Sequence, residues 1–478
     1  MVDEDHSQEI WPHDAAKNTK KQVAVKILLT THVFLPDYAS GTELLTFHTA
    51  KELQSRGNEV EVCTGYPARP GLTDAQRFDS YEYEGIRVRR FLHDAATMGG
   101  QSNVAEAEYN NRFFAHWFFD YLRQFKPDIV HFFHLGLLSA SAIDVCCELG
   151  IPMVMTPTDF WLICPNNQLR LPDNSLCRGP DRDSVNCMKH AVSNNQPRQV
   201  AWVFNRLPYR VVAAMIEGIN RGAFSGSWFS PQVSALSRRA GFLKERMNRL
   251  DRVIMPSRLM QEMLVTNGLS PDKAVLSRFG IRPTKPEAHN PDAEGRLRIG
   301  FIGGLSEHKG AHLLISAFRR LPDTVRLALK IYGRTDLNPR YHERLLRLAG
   351  DDRRIRFCGT FPNEQIDRIF AELDVLVVPS VWYENTPLVI YSAQAAGCPV
   401  VATNLGGMAE VVKHGKNGLL FESGDIAGLA MAIGRLANDR PLLRQLAANA
   451  IRPKTISDYV TKVEFIYDGI LTERRGRK

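Results

Sequence analysis

Brief apolar runs alternate with longer stretches of mixed polarity along most of this chain. Val23 to Thr30, Glu59 to Thr64, Ile129 to Phe133 and Met153 to Thr156 read as strands. His32 to Ser40 is a loop, Gly41-Thr42-Glu43 opens a helix through Gln54, and Gly57 suits its cap. The second half alternates in the same way, with strands at Leu297–Ile302, Val325–Tyr332, Ile355–Cys358, Val375–Val378 and Val400–Thr403, and helices at Lys309–Arg320 and Asn363–Ala371. Alternation of this kind predicts doubly wound parallel sheets, an α/β fold class. Pro, Gly and polar residues crowd the stretch from Arg282 to Gly295 and mark a linker. The predicted organisation is a disordered leader over 1–22, an α/β domain over 23–283 with an insertion at 160–250, a linker at 284–296, a second α/β domain over 297–455, and a closing segment over 456–478 with a helix near Tyr459 to Leu471.

The stretch from Asp374 to Val412 is the most informative. Val375 to Val378 suits a strand buried on both faces. Pro387 suits the first position of a helix and Gly397 its end. A strand, loop, helix, strand unit presents free N–H groups and positive helix-end charge at the carboxyl end of a parallel sheet, where anions bind. Glu384 adds a carboxylate on the loop itself. A ligand carrying both phosphates and hydroxyls, a nucleotide-sugar, fits that combination.

The same residues carry a resemblance. Glu384, Asn385, Pro387, Leu388, Ala393, Ala395, Gly397, Pro399 and Val400 match the donor-site signature of retaining family-four (group 1) glycosyltransferases of the GT-B fold. Gly41-Thr42-Glu43 resembles that family's first Gly-rich turn, Pro127-Asp128-Ile-Val-His131 through His134 its Pro-Asp-x-Val-His-x-His stretch, and Thr156 to Pro165 its acceptor-side segment, with Thr158 where a His is usual. Asp251 to Ser257 resembles the segment before the hinge, and Gly303-Gly304-Leu305 to Lys309-Gly310 resembles Gly-Arg-Leu-x-x-x-Lys-Gly. The chain departs at Ser392, where the family has a ribose-holding Glu, and at Gly304, where it has a diphosphate-binding Arg. The resemblance implies two Rossmann-like domains facing across a cleft, a last helix crossing back to the first domain, and metal-independent transfer with retention. No cofactor is implied beyond the nucleotide-diphosphate sugar as co-substrate. It assigns Glu384 to the transferred sugar and Gly41, Gly303, Lys309, Asn385, Thr386, Pro387, Leu388 and Ser392 to the donor. His134 and Asp159 are candidates for acceptor positioning or proton transfer, with a glycan or lipid-linked acceptor. A weakly active sugar-nucleotide binding protein and a nucleotide-sugar epimerase are the alternatives.

Composition narrows the setting. The chain has 478 residues, 44% apolar and 23% charged, ordinary for a globular protein. No apolar run approaches the ~20 residues that span a bilayer. Met1 to Lys21 has no apolar signal core, so a cytoplasmic protein is expected, peripheral on the inner face of a membrane if a surface holds it. Arg198 to Arg252 carries ten Lys or Arg against three acids, most of the net +8, interleaved with Trp202, Phe204 and other apolar residues. Such a basic amphipathic segment fits an anionic membrane surface or ligand, or else is a solvated face over an ordinary core. Pro208 divides it in two. No nucleic-acid signature accompanies the charge, which argues against that partner. The eight cysteines are not a disulfide framework. Cys63, Cys146, Cys147, Cys358 and Cys398 read as buried thiols, whereas Cys164, Cys177, Cys187 and His190 form a weak candidate for a structural metal site against the reading as loop thiols. Asp181-Arg-Asp183 follows no apolar strand and reads as chance.

Overall fold

A computed structural model describes residues 24–94, 96–171, 173, 175–282, 288–290, 292–385 and 387–476. The predicted leader, part of the linker and Thr386 therefore lie outside the described residues.

Two sheets carry the chain. The first holds β1 (Lys26–Thr31), β2 (Glu59–Pro67), β3 (Phe78–Tyr83), β4 (Ile86–His93), β5 (Ile129–Phe132), β6 (Met153–Met155), β7 (Arg252–Met255) and β8 (Ala274–Leu276), in the order β3-β4-β2-β1-β5-β6-β7-β8. The second holds β9 (Leu297–Ile302), β10 (Leu327–Tyr332), β11 (Ile355–Gly359), β12 (Val375–Val378), β13 (Val400–Thr403) and β14 (Gly418–Phe421), in the order β11-β10-β9-β12-β13-β14. Every ladder is parallel except β3 with β4. That hairpin departs from the expected all-parallel sheet. Its two-residue turn, Glu84-Gly85, takes φ +47° and +77°, the left-handed pair that matches strand twist in a tight hairpin.

In both sheets the strand order reverses at one place. In the first, β1 pairs with β2 on one side and β5 on the other. In the second, β9 pairs with β10 and β12. Crevices open beyond the carboxyl ends of strands at such reversals, and ligands bind there.

One apolar cluster joins Ile27 and Leu29 of β1 with Leu376 of β12, Val400 of β13 and Tyr459, Val463 and Ile470 of the C-terminal helix. Two further clusters cover the other faces of the sheets. The C-terminal helix runs from Ile456 to Arg475 and packs on the first domain. Tyr467 Oη meets His131 Nδ1 at 2.6 Å, His131 Nε2 meets Thr156 Oγ1 at 2.8 Å, and Thr156 Oγ1 meets Tyr459 Oη at 3.1 Å. This buried polar chain makes His131 a fastening for the helix. Burial alone pushes its imidazole down to about 3.

The insertion folds as helices α1 (Val185–Asn195), α2 (Arg198–Arg206), α3 (Tyr209–Asn220) and α4 (Ser230–Met247) around a small core of Val185, Met188, Val212 and Ile216. Pro208 separates α2 from α3, because its ring and missing N–H stop a helix from running through.

Candidate active site

The second crevice is built by two strand ends. After β9 the chain turns through a 3-10 turn, Glu307–Lys309, and a helix starts only at Ala311. The helix expected from Lys309 thus begins two residues later. Gly310 takes φ +76°, and a Cβ there would lie 2.0 Å from the carbonyl oxygen of Pro379. Only glycine permits that bend, and the bend turns Lys309 toward the end of β12. Beyond β12, Glu384 is buried, and its Oε1 accepts from Lys309 Nζ at 2.6 Å, Trp382 Nε1 at 2.7 Å and Ser380 Oγ at 2.8 Å. Burial by itself raises a carboxyl pKa; here Lys309 and these hydrogen bonds outweigh it and hold Glu384 below its ordinary value. Lys309 Nζ also lies 5.0 Å from the centre of the Trp382 ring. His308 packs edge-on to that indole at 4.8 Å, and burial followed by the Lys309 charge lowers it to about 4. The crevice thus presents a fixed carboxylate and a cation partly open to solvent.

The first crevice gathers residues from distant parts of the chain. His32 follows β1, His134 follows β5, and Asp159 follows β6. His134 Nδ1 accepts from the Gly136 N–H at 2.9 Å, and Nε2 lies 2.9 Å from Asp159 Oδ2. With Nδ1 accepting, the proton sits on Nε2 and is donated to the carboxylate. Both ring nitrogens are engaged, so His134 is suited to orienting Asp159. The other Asp159 oxygen accepts from the Trp161 N–H at 2.9 Å. Burial would raise Asp159; the neighbouring His134, its hydrogen bond and the Trp161 N–H bring the pKa below the usual value. His32, which the motifs do not single out, packs at a tilt with its ring centre 4.2 Å from that of His134 and stands 3.4 Å from Glu43 Oε1. Burial and His134 drive His32 down to about 3, against Asp159. His32 Nδ1 and Glu43 Oε1 are buried without a hydrogen-bond partner. Glu43 Oε2 closes a capping box on the Ser40 N–H and hydroxyl at 2.8 and 2.6 Å, fixing the start of the helix Gly41–Ser55.

The two crevices face each other through direct ties. Asn385, predicted as a donor contact, accepts from Ser257 Oγ at 2.7 Å and donates to the Pro157 carbonyl at 3.2 Å. Glu410 accepts the backbone N–H groups of Arg258 and Leu259 at 2.9 and 2.8 Å, capping a first-domain helix with a second-domain carboxylate. Gly407 allows this closeness, since a Cβ there would sit 1.5 Å from the Asn385 carbonyl oxygen. Gly41 of the first domain comes within contact of Leu388, 3.8 Å from a Cβ built on it. Pro387 is the cap of helix Leu388–Ala395, one position before the predicted first turn.

Ser392 donates back to the Leu388 carbonyl at 3.2 Å and lines an interdomain cavity of about 80 Å³ with His48, Arg282 and Glu364. Gly303 donates its N–H to the Tyr332 carbonyl at 3.1 Å. A Cβ at Gly304 would meet nothing within 4 Å, so the backbone there is open where the resemblance expects an arginine.

Cys164, Cys177, Cys187 and His190 line one cavity of about 190 Å³. Among the described residues, however, no three His, Cys, Asp or Glu side chains converge as metal ligands. Cys164 Sγ donates to Asn166 Oδ1 at 2.7 Å, Asn166 Nδ2 meets His190 Nε2 at 3.1 Å, and Cys177 Sγ reaches the Gly179 carbonyl at 3.3 Å. Local hydrogen bonds thus occupy three of the four groups proposed as ligands, Cys164, Cys177 and His190. Asp181 caps α1 by accepting from Val185 and Asn186 N–H at 2.7 and 2.9 Å, which accounts for it without a metal. Of the five thiols read as buried, Cys63, Cys146 and Cys398 are, while Cys147 is exposed and Cys358 partly so.

Parts of the chain, and its fold, are similar to known proteins. Residues 296–439 match the model for glycosyl transferases group 1, and residues 39–173 match the model for glycosyltransferase family 4. The D-inositol 3-phosphate glycosyltransferase of Corynebacterium urealyticum is 37% identical over 148 residues, covering 30% of this chain and 35% of that protein. The amylovoran biosynthesis glycosyltransferase AmsK of Erwinia amylovora is 32% identical over 192 residues, covering 38% and 46%. The matched part of the chain thus spans about half or less of these curated relatives. Among solved structures, sucrose-phosphate synthase from Thermosynechococcus elongatus superimposes with a TM-score of 0.64 at 18% identity, covering 94% of this chain and 99% of that one. HepE from Anabaena in complex with UDP and glucose gives 0.60 at 17%, covering 93% and 99%. The fold is GT-B, two Rossmann-like domains facing across a cleft.

Proposed function

We propose that this protein is a retaining glycosyltransferase that moves a sugar from a nucleoside diphosphate-sugar to a glycan or lipid-linked acceptor without a metal. The observation that carries this reading is the Lys309–Glu384 pair at one strand-order reversal, held opposite the His134–Asp159 pair at the other. Cleavage of a sugar–phosphate bond leaves negative charge on the diphosphate and positive charge on the sugar. Lys309 and the amino end of the helix Leu388–Ala395 suit the first. The ionised Glu384 suits the second. Asp159, oriented by His134, receives the acceptor hydroxyl. The departing phosphate takes the acceptor proton on the same face, so configuration is retained. The resemblance to the HepE structure with UDP and glucose supports this donor class.

A thermal-shift screen of uridine, guanosine and adenosine diphosphate-sugars is expected to show stabilisation by one nucleotide series. Absence of any shift sinks the donor assignment. NMR of the product anomer then tests retention, and an inverted anomer overturns that part. Activity is expected to survive a chelator.

A further inference from the structure

The insertion exposes its apolar side chains. On α2, Val200, Trp202 and Val203 face solvent; on α3, Val211 and Met215 do, one turn apart. Past α3, Phe224 and Trp228 are 70% and 72% exposed. The opposite stripe of α3, Val212 and Ile216, is the one that fills the small core. Amphipathic burial is therefore satisfied, and a second apolar surface is left over. A concentration of exposed aromatic and aliphatic groups of this kind marks an interaction site.

The charges around it say what covers it. Arg198, Arg206, Arg210, Arg221 and Arg238 are exposed across this stretch, against one acid, Glu217, which pairs with Arg221 at 2.5 Å. Arg206 lies 3.6 Å over the Trp202 ring. A second copy docking here sets arginine against arginine. An anionic lipid surface instead accepts the guanidinium groups at the phosphates and the Trp and Phe rings just below them.

The patch is also rigidly joined to the acceptor side. Arg239 of α4 is buried, donates Nη2 to the Trp161 carbonyl at 2.7 Å, and lies 5.1 Å from the Trp161 ring centre. The Trp161 N–H in turn holds Asp159. We infer that α2, α3 and the turn at Phe224–Trp228 dock on an anionic bilayer surface, and that the acceptor is a lipid-linked molecule drawn from that surface to Asp159. The second clause rests on the transferase reading; the first does not. Among the described residues no helix is long and apolar enough to cross a membrane, so the attachment is peripheral.

The test is co-sedimentation of the full chain with vesicles of phosphatidylcholine alone and of phosphatidylcholine mixed with phosphatidylglycerol. Binding is expected only to the mixed vesicles and is expected to fall at 1 M salt, where screening shortens to ~3 Å. Arg206→Ala and Arg210→Ala should each weaken partition about fivefold. The triple variant Trp202→Ser/Phe224→Ser/Trp228→Ser should abolish it while melting temperature and donor-induced thermal shift stay unchanged. Equal binding to both vesicle types, or none to either, overturns the docking surface. Self-association in sedimentation velocity that the triple variant removes, without vesicle binding, reassigns the patch to a second copy and overturns it too. Docking without any donor-induced shift leaves the surface standing and overturns the lipid-linked acceptor together with the transferase reading.

Discussion

At the second crevice the working side chains lie within a few residues of two strand ends, and Glu384 draws Ser380 and Trp382 from its own loop. At the first, His32, Glu43, His134 and Asp159 come from four segments spread over more than a quarter of the chain. The difference is one of charge as well as of distance. The second site pairs opposite charges at 2.6 Å, whereas the first packs two imidazoles against two carboxylates and holds His32 neutral by burial. A site assembled from two neighbouring strand ends depends on one strand pairing; a site assembled from four segments depends on more of its sheet.

The sharpest break of this contrast is Glu384→Gln. An amide keeps the hydrogen bonds' shape and loses the charge facing the cationic sugar. Turnover at saturating donor should fall by about 3 kcal/mol equivalent, a hundredfold or more, with the protein still folded. Unchanged turnover would make Glu384 a structural cap. Lys309→Ala should in addition lower the melting temperature, because a buried carboxylate is left without its cation.

Asp159→Asn is expected to lower turnover roughly tenfold to a hundredfold and leave the donor-induced thermal shift intact. A loss of donor binding in this variant would mean that the two crevices do not divide donor from acceptor.

Acid titrates the buried imidazoles before the Glu384 carboxylate. His32 has a folded pKa of about 3 against an ordinary 6.5. Between those values the unfolded chain takes up a proton that the folded one refuses, so stability falls as pH drops through that window. Glu384 acts in the same direction at lower pH: its folded pKa lies below the ordinary value, so its contribution is present above about 4.5 and disappears as pH falls through the lowered pKa. His308 in the second crevice, lowered to about 4, titrates in the same window as His32, so acid reaches the imidazoles of both crevices before Glu384. His32→Gln should flatten the melting-temperature profile between pH 6.5 and about 4; an unchanged slope would mean that the other lowered imidazoles, His131 and His308 among them, carry it.

Ser392→Glu should give the smallest effect, a donor affinity raised less than about tenfold, since a carboxylate accepts from both ribose hydroxyls. Weaker binding would place the ribose elsewhere in the cavity beside His48 and Arg282.

Much of the second domain was legible in the sequence. Val375–Val378 and Val400–Thr403 are apolar runs whose bounds the strands share. Glu384 and Lys309 stood in a recognisable local pattern, and they meet. His32 and Glu43 escaped because nothing local ties them to His134, about a hundred residues away; only the strand order brings them together. Asn385 sits inside the donor signature, yet its amide is spent on Pro157 and Ser257, partners that proximity in sequence cannot reveal. The β3–β4 hairpin had a readable signal in Glu84-Gly85. The candidate metal cluster had the right residue types, but among the described residues they do not converge, and Asn166 and Gly179 bond three of the four.

The Asn385 bonds have a consequence for binding equilibria. The residue beside the donor carboxylate hangs from the strand-end segment that leads to Asp159. A donor that settles the Glu384 loop also settles residue 157, and an acceptor that orders residue 157 also orders the loop. Binding free energies are reciprocal, so each substrate must sharpen the affinity for the other by the same factor. On the proposed transferase reading the Asn385 carboxamide is one link between the two substrates, beside the Glu410 cap, and Asn385→Ala should weaken the coupling, as read from donor titrations with and without acceptor.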